Sequence, residues 1–419
     1  MFKTTLCAAL VGVGFSSANL LAASAATDIQ ILPCDQPVKS AKRGLCLNKM
    51  DRADFMAVAP GVSWWYNWHF KDTQNAPAEA KMEFLPMAWG DRKEDLAGLK
   101  SYLASNKPSV VLAINEPNLK DQAFIPPQQT ARLYKDIKEI ADAKGIPVVG
   151  PHMALGSPDS GSITAEDPIE KKKVTYTFMT PFLKAVLFYL GDTDVPAVAA
   201  HSYGNFGELK WMTGMLHDEF KRPVWVTEFA DWHAKDAEAE IDYLVQSVDF
   251  FERTPFVAGY AWFKERVGGN QKLSLLGKPG ELTPLGQAYV NMPVHDAKIY
   301  YRLPGKLEAE RYVTMNGAEI ARTKDADGFL EMRAMGPQNT IDYNVAPTSA
   351  GRYKVDFRFA AKNPTTLELL SGGKVLAKAD STGTDWQNAQ ASIDLPAGPQ
   401  TLQFRSSSPV RLNWINFQR

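Results

Sequence analysis

Val110-Val111-Leu112-Ala113-Ile114-Asn115-Glu116-Pro117 is an apolar run stopped by a proline. Pro117 lacks the amide hydrogen that a sheet ladder needs, so a strand through this run ends there. Glu116 then stands at the strand's C-terminal end. The pattern recurs in Pro223-Val224-Trp225-Val226-Thr227-Glu228, which delivers Glu228 to the end of a second apolar run. Unbroken apolar runs of this length are what strands covered on both faces look like. In a parallel sheet, both carboxyls face the same rim.

Working outward, short apolar runs alternate with helical patterns as far as about residue 295. The runs are Arg43–Asn48, Val62–Trp68, Glu83–Trp89, Val110–Asn115, Pro147–His152, Ala197–Tyr203, Val224–Phe229 and Tyr260–Arg266. Eight parallel runs predict a (β/α)8 TIM barrel, with Glu116 on the fourth strand and Glu228 on the seventh. Helices are predicted at Glu94–Ser105, Pro127–Ala143 and Ala237–Arg253 from apolar spacing near 3.6 residues. In the last, Ile241, Leu244, Val245, Val248 and Phe251 form one stripe. A doubly wound open sheet is the alternative, although no glycine-rich phosphate loop follows the first strand. Gly156–Lys173 interrupts the alternation where a βα loop on the barrel's active face belongs, and reads equally well as a surface excursion. After Pro293 the helical period gives way to short alternating runs separated by turns such as Ser371-Gly372-Gly373, the texture of a β-sandwich. The expected division is a signal peptide over 1–26, a catalytic barrel over 27–296 and a β-sandwich over 306–419.

The N-terminal reading rests on Lys3, an apolar stretch to Leu21 and the small-residue site Ala23-Ser24-Ala25. It implies secretion, periplasmic or extracellular. Cys34 and Cys46 are then expected to close a short loop that pins the N-terminal arm to the first strand. Charge is balanced, 46 basic residues against 47 acidic, which argues against nucleic acid. No segment past the signal region reads as a membrane span. There is no His-Glu-x-x-His, cysteine cluster or Gly-x-Ser-x-Gly, so no catalytic cofactor is expected.

Two carboxyls on one rim are what glycoside hydrolysis requires. In a retaining enzyme they sit about 5–5.5 Å apart, one donating a proton to the leaving oxygen while the other attacks the anomeric carbon. A strand-terminal glutamate is otherwise an ordinary ion-pair partner. Two of them, on the fourth and seventh of eight runs, favour catalysis. Trp64, Trp65, Trp68, Trp89 and Trp262 lie near strand ends, where aromatic rings stack on the C–H faces of sugars. Alternation sends Trp64 and Trp65 to opposite faces; Trp65 and Trp262 are the expected platforms. Glu265-Arg266 reads as a solvated ion pair.

These residues resemble those of the clan A glycoside hydrolases. More narrowly, residues 40–292 look like glycoside hydrolase family 128, the endo-β-1,3-glucanases. The stretches that carry the likeness are Arg43-Gly44-Leu45, Trp64-Trp65-Tyr66-Asn67-Trp68, Asn115-Glu116-Pro117-Asn118, His201-Ser202-Tyr203, Trp225-Val226-Thr227-Glu228-Phe229 and Tyr260-Ala261-Trp262-Phe263. The resemblance implies Glu116 as acid/base and Glu228 as nucleophile, acting with retention on internal bonds of β-1,3-glucan. Asn115 is then expected to bind the sugar 2-hydroxyl, and His201 and Tyr203 to orient Glu228; His152 is ambiguous. The alternatives are a clan A glycosidase of other linkage specificity and a non-catalytic β-glucan-binding protein.

Residues 306–419 are similar to the family 6-like carbohydrate-binding modules, through Leu307-Glu308-Ala309-Glu310, Gly351-Arg352-Tyr353, Thr382-Gly383-Thr384-Asp385-Trp386 and Leu412-Asn413-Trp414-Ile415-Asn416-Phe417. The likeness implies a structural calcium at Glu308 and Glu310. Asn413 stands where the group usually has a carboxylate, and Ala389 where it often has a second aromatic.

Overall fold

The computed structural model describes residues 29–156, 161–334, 336–383 and 385–419; the expected signal peptide and the beginning of the Gly156–Lys173 excursion lie outside them. In the first two thirds of the chain the strands of the two main sheets are parallel. Ser40–Cys46 pairs with Val62–Tyr66 on one side and Val257–Phe263 on the other. From Val257–Phe263 the pairing continues through Val224–Phe229 and Val198–Ser202 to His152–Met153. Val62–Tyr66 continues to Glu83–Phe84. Met87–Ala88, Val111–Ala113 and Val148–Val149 form a separate parallel sheet. The third and fifth runs of the sequence are therefore each divided between two sheets. Pro86 and Pro151, which cannot donate to a ladder, stand at the two breaks.

Two glycines decide how tightly the interior of this domain packs. A Cβ on Gly44 would fall 2.3 Å from the Trp64 ring, and one on Gly259 would fall 2.5 Å from that of Trp225. The two tryptophans lie against each other at 5.3 Å, with Leu85, Leu112 and Val149 in the same cluster. Helices cover the outer face. Ala237–Arg253 begins where the Asp236 side chain accepts the Ala239 amide hydrogen at 2.8 Å, satisfying an orphan donor of the first turn. Its predicted stripe is buried throughout. The Gly156–Lys173 excursion ends in an antiparallel hairpin, Ile163–Asp167 with Lys172–Tyr176. Among the described residues, no helix is long and apolar enough to cross a membrane.

The last third is β-rich. One sheet runs Ala318–Arg322, Leu330–Ala334, Val410–Gln418, Gly351–Ala361, Gln387–Leu395, all antiparallel. A second contains Thr340–Pro347, Gln400–Ser406, Thr365–Ser371 and Lys374–Ser381. Phe357 of the first and Phe404 of the second meet at 6.1 Å in a shared core.

The N-terminal arm departs from expectation. Gln30–Leu32 pairs in parallel with Ile299–Leu303, so the arm is an edge strand of the second β-rich sheet rather than part of the parallel domain. This separates the cysteines. Cys34 is buried against the β-rich domain and its thiol donates to the Arg302 carbonyl, while Cys46 lies within its strand and donates to the Trp262 carbonyl. The expected bridge is not formed. The two domains also meet at Asp249, which receives hydrogen bonds from His295 and Tyr312.

Candidate active site

Glu116 is held by a backbone that most residues avoid. Ile114 and Glu116 have φ of 61° and 44°, in the left-handed region, where a β-branched residue such as Ile114 is strained. Backbone hydrogen bonds over-determine the turn: Ile114 and Asn115 amides donate to Ala88 and Trp89 at 2.8 Å, and Glu116 donates to His152 at 2.7 Å. Strain held in this way is a feature of functional sites. Its effect here is to turn the Glu116 carboxyl into the cleft.

Glu228 is the next-to-last residue of the Val224–Phe229 strand and is buried, yet its carboxyl is well supplied with donors. Tyr66 and the Trp68 indole donate to Oε1 at 3.1 and 2.7 Å, and Tyr203 donates to Oε2. His201 sits between the two glutamates. Its Nδ1 is 2.8 Å from Glu116 Oε1 and 3.5 Å from Glu228 Oε2. Those two oxygens are therefore no more than about 6.3 Å apart, the sum of the two distances. Burial alone would lower the His201 pKa, but Glu228 and Glu116 outweigh it and hold the imidazolium above the ordinary histidine value. For Glu228, burial is the largest influence and raises its pKa; the Glu116 charge adds to this, while His201 and the Tyr203 and Trp68 hydrogen bonds oppose it. His152 lies deeper, 2.7 Å from Thr227 Oγ1, and burial followed by the His201 charge pushes it down to about 3. It is a neutral core histidine.

The cleft encloses about 720 Å³. Asn115 lines it, fixed by a 3.0 Å bond from Nδ2 to Gln122, while its buried Oδ1 has no protein partner. The expected platforms are wrong. Trp65 is 0% exposed and packs against Phe55 and Phe84; Trp262 is 0% exposed and donates to the Leu273 carbonyl. The rings that face the cleft are Trp68, Trp89, Trp232 and Phe263. Tyr66 was findable: Trp64 and Tyr66 are two residues apart, so the strand that buries Trp64 inside turns Tyr66 inward as well, whereas Trp68 lies past the strand's end with a φ of 55°, where alternation does not reach. Trp232 lies past its strand's end, in a loop where no periodicity points to it, while Phe263 is the last residue of Val257–Phe263, where alternation sends it to the face opposite Trp262.

Glu265 and Arg266 are not a solvated pair. Glu265 is buried and accepts the Asn48 and Lys49 amides, while Arg266 clamps Asp54 with bonds of 2.7 and 2.8 Å. In the β-rich domain, Glu308 of the pair expected to hold calcium is engaged by the Lys306 ammonium at 2.9 Å, which also lies 3.1 Å from Asp327, while Glu310 is buried with one carboxylate oxygen unpartnered. Among the described residues, no group of three acidic, histidine or cysteine side chains is arranged to bind a metal. Trp386 carries the Arg358 and Arg411 guanidinium groups against its ring.

Residues 44–289 match the family described as glycosyl hydrolase catalytic core, and residues 308–419 match carbohydrate binding module (family 6). No curated protein matches the chain. Among solved structures, a family 128 subgroup II endo-β-1,3-glucanase from Sorangium cellulosum is 29% identical, covers 61% of this chain and 100% of its own, and has a TM-score of 0.55. Its counterpart from Pseudomonas viridiflava is 31% identical with the same coverage and a TM-score of 0.53. A subgroup III curdlan-specific exo-β-1,3-glucanase from Blastomyces gilchristii is 25% identical, covering 59% and 97% of the two chains, with a TM-score of 0.46. The chain belongs to the glycosyl hydrolase catalytic core family, within glycoside hydrolase family 128, and is a glycoside hydrolase with a C-terminal family 6 carbohydrate-binding module.

Proposed function

We propose that this protein is a secreted, retaining endo-β-1,3-glucanase in which Glu228 is the nucleophile and Glu116 the acid/base. The observation that carries the assignment is the unequal supply of donors. Glu228 accepts three side-chain hydrogen bonds besides its neighbourhood to His201, which favour a fixed carboxylate; Glu116 has only the His201 contact and leaves its second oxygen without a side-chain partner, open to the substrate. Glu228 attacks the anomeric carbon as Glu116 protonates the departing glycosidic oxygen, leaving a glycosyl ester. Glu116, now a carboxylate, takes a proton from water, and the hydroxyl displaces Glu228. The upper limit of about 6.3 Å between the two carboxyl oxygens supports retention over inversion, which leaves room for a water between carboxyls about 6.5–9.5 Å apart. Asn115 Oδ1 is the acceptor proposed for the 2-hydroxyl. For the fold, a (β/α)8 barrel is supported by the pairing of the first and last parallel strands and by runs three and five, which lend strands to both sheets.

The test is reducing-sugar release from linear β-1,3-glucan by wild type, Glu228→Gln and Glu116→Gln, with the product's first anomer read by NMR. A ladder of oligosaccharides, a β-anomer formed first and a loss of about a thousandfold or more in each variant are expected. A single small product would replace endo with exo action, and an α-anomer would replace retention with inversion. Binding without turnover would replace the enzyme by a glucan-binding protein.

A further inference from the structure

We propose that the outer face of the Phe206–Phe220 helix is a second glucan-binding surface, with Trp211 as its stacking platform, which prolongs the catalytic cleft for polymeric substrate. This rests on the substrate class proposed above. Two tryptophans stand among the large hydrophobic side chains most open to solvent: Trp232, in the cleft, and Trp211, 52% exposed on this helix. Gly207 and Gly214 lie four residues before and three after Trp211, on the same helical face. Glycine inside a helix is unfavourable, and packing gives no reason for Gly214. A Cβ at Gly214 would meet nothing within 4 Å, and one at Gly207 would meet only Asn205 Oδ1 at 3.1 Å. Their effect is to leave the ring bare on both sides along the helix.

The resulting groove encloses about 530 Å³ and carries Lys210 and Asp218 beside the ring, a donor and an acceptor of opposite charge. That chemistry suits the hydroxyls and apolar C–H face of a neutral sugar chain. Neighbouring residues lead from the groove toward the cleft. Glu208, next to Gly207, lines the cleft, as does Gly156. Phe178 stands at the seam: its ring is 6.1 Å from Trp211, and a Cβ on Gly156 would touch it at 3.3 Å. A polymer leaving the cleft past Gly156 meets Phe178 and then Trp211.

The experiment compares kcat and KM of the full chain, Trp211→Ala and Gly214→Gln on linear β-1,3-glucan polymer and on β-1,3-glucopentaose, which is short enough to occupy the cleft alone. In Trp211→Ala, KM for the polymer is expected to rise about 3–10-fold, the range of one aromatic contact, with kcat and all pentaose constants unchanged. Gly214→Gln, which favours the helix and covers the ring, should move polymer KM in the same direction. Unchanged polymer KM in both variants, or equal losses on both substrates, overturns the proposal. A wild type that neither cleaves nor binds either glucan overturns the proposed function itself, and this surface with it.

Discussion

Glu228 depends on donors that can be removed one at a time. Tyr203 opposes the burial that raises the Glu228 pKa, so Tyr203→Phe should raise it further. Because attack requires the carboxylate, activity is lost as pH falls through that pKa, and the acid limb of kcat/KM moves to higher pH in the variant. A limb that stays in place while the rate drops would mean that Tyr203 acts on the sugar and not on Glu228. Trp68→Phe also removes a donor and should shift the limb the same way. At this scale the sequence is informative about the two glutamates, because a proline and a strand length place them. It is less informative about their supporters. Tyr66 becomes visible only once Gly44 and Trp64 show which face of the strand points inward, and Trp68 lies past the strand's end, where no alternation marks it. Trp65 and Trp262 misled because a tryptophan near a strand end looks the same from sequence whether it points to the cleft or to the helices.

Secondary elements whose period is backed by an apolar stripe were legible: the Ala237–Arg253 helix stands where its five-residue stripe put it. Strands with weak alternation were not. Lys374–Ser381 and Ala318–Arg322 offer mostly alanine and charge, and they are ordered by pairing with richer neighbours. Between Ser40–Cys46 and Val62–Tyr66, Gly44→Ala should force the Trp64 ring out of place and cost about 1–3 kcal/mol in urea unfolding, the usual range for overpacking. Wild-type stability in that variant would mean the core is looser than drawn. On the Ala237–Arg253 helix, Glu240 is buried with Oε2 unpartnered, and burial raises its pKa to about 8. Folded protein then holds a proton that unfolded protein gives up above the ordinary glutamate value. Stability from this group is full in acid and is lost as pH rises toward about 8. Glu240→Gln, permanently neutral, should match wild-type Tm near pH 4.5 and exceed it near pH 8.5; a constant difference across that range would refute the assignment.

Across the whole molecule, the parallel and β-rich domains are joined by more than the chain between them. The arm strand Gln30–Leu32, the Arg311 bond to the Gln36 carbonyl and the Asp249 cluster all cross from one to the other. Differential scanning calorimetry should therefore show one cooperative transition, and deleting residues up to Leu32 should separate or broaden it. Two resolved transitions in the intact chain would mean that the joint is weak. The change of texture near residue 295 was readable because helices and alternating strands differ in period. The destination of the arm was not, since three residues carry no mark of a partner so distant in sequence. That partner has a consequence for biogenesis. Gln30 waits for Ile299, so the ribosome must complete nearly three quarters of the polypeptide before the first strand finds its mate. Until then Gln30–Leu32 has no partner, and Ile299–Leu303, once made, is an open sheet edge until the arm docks, the kind of template on which chains aggregate. Slow, non-local closure of this sort delays folding.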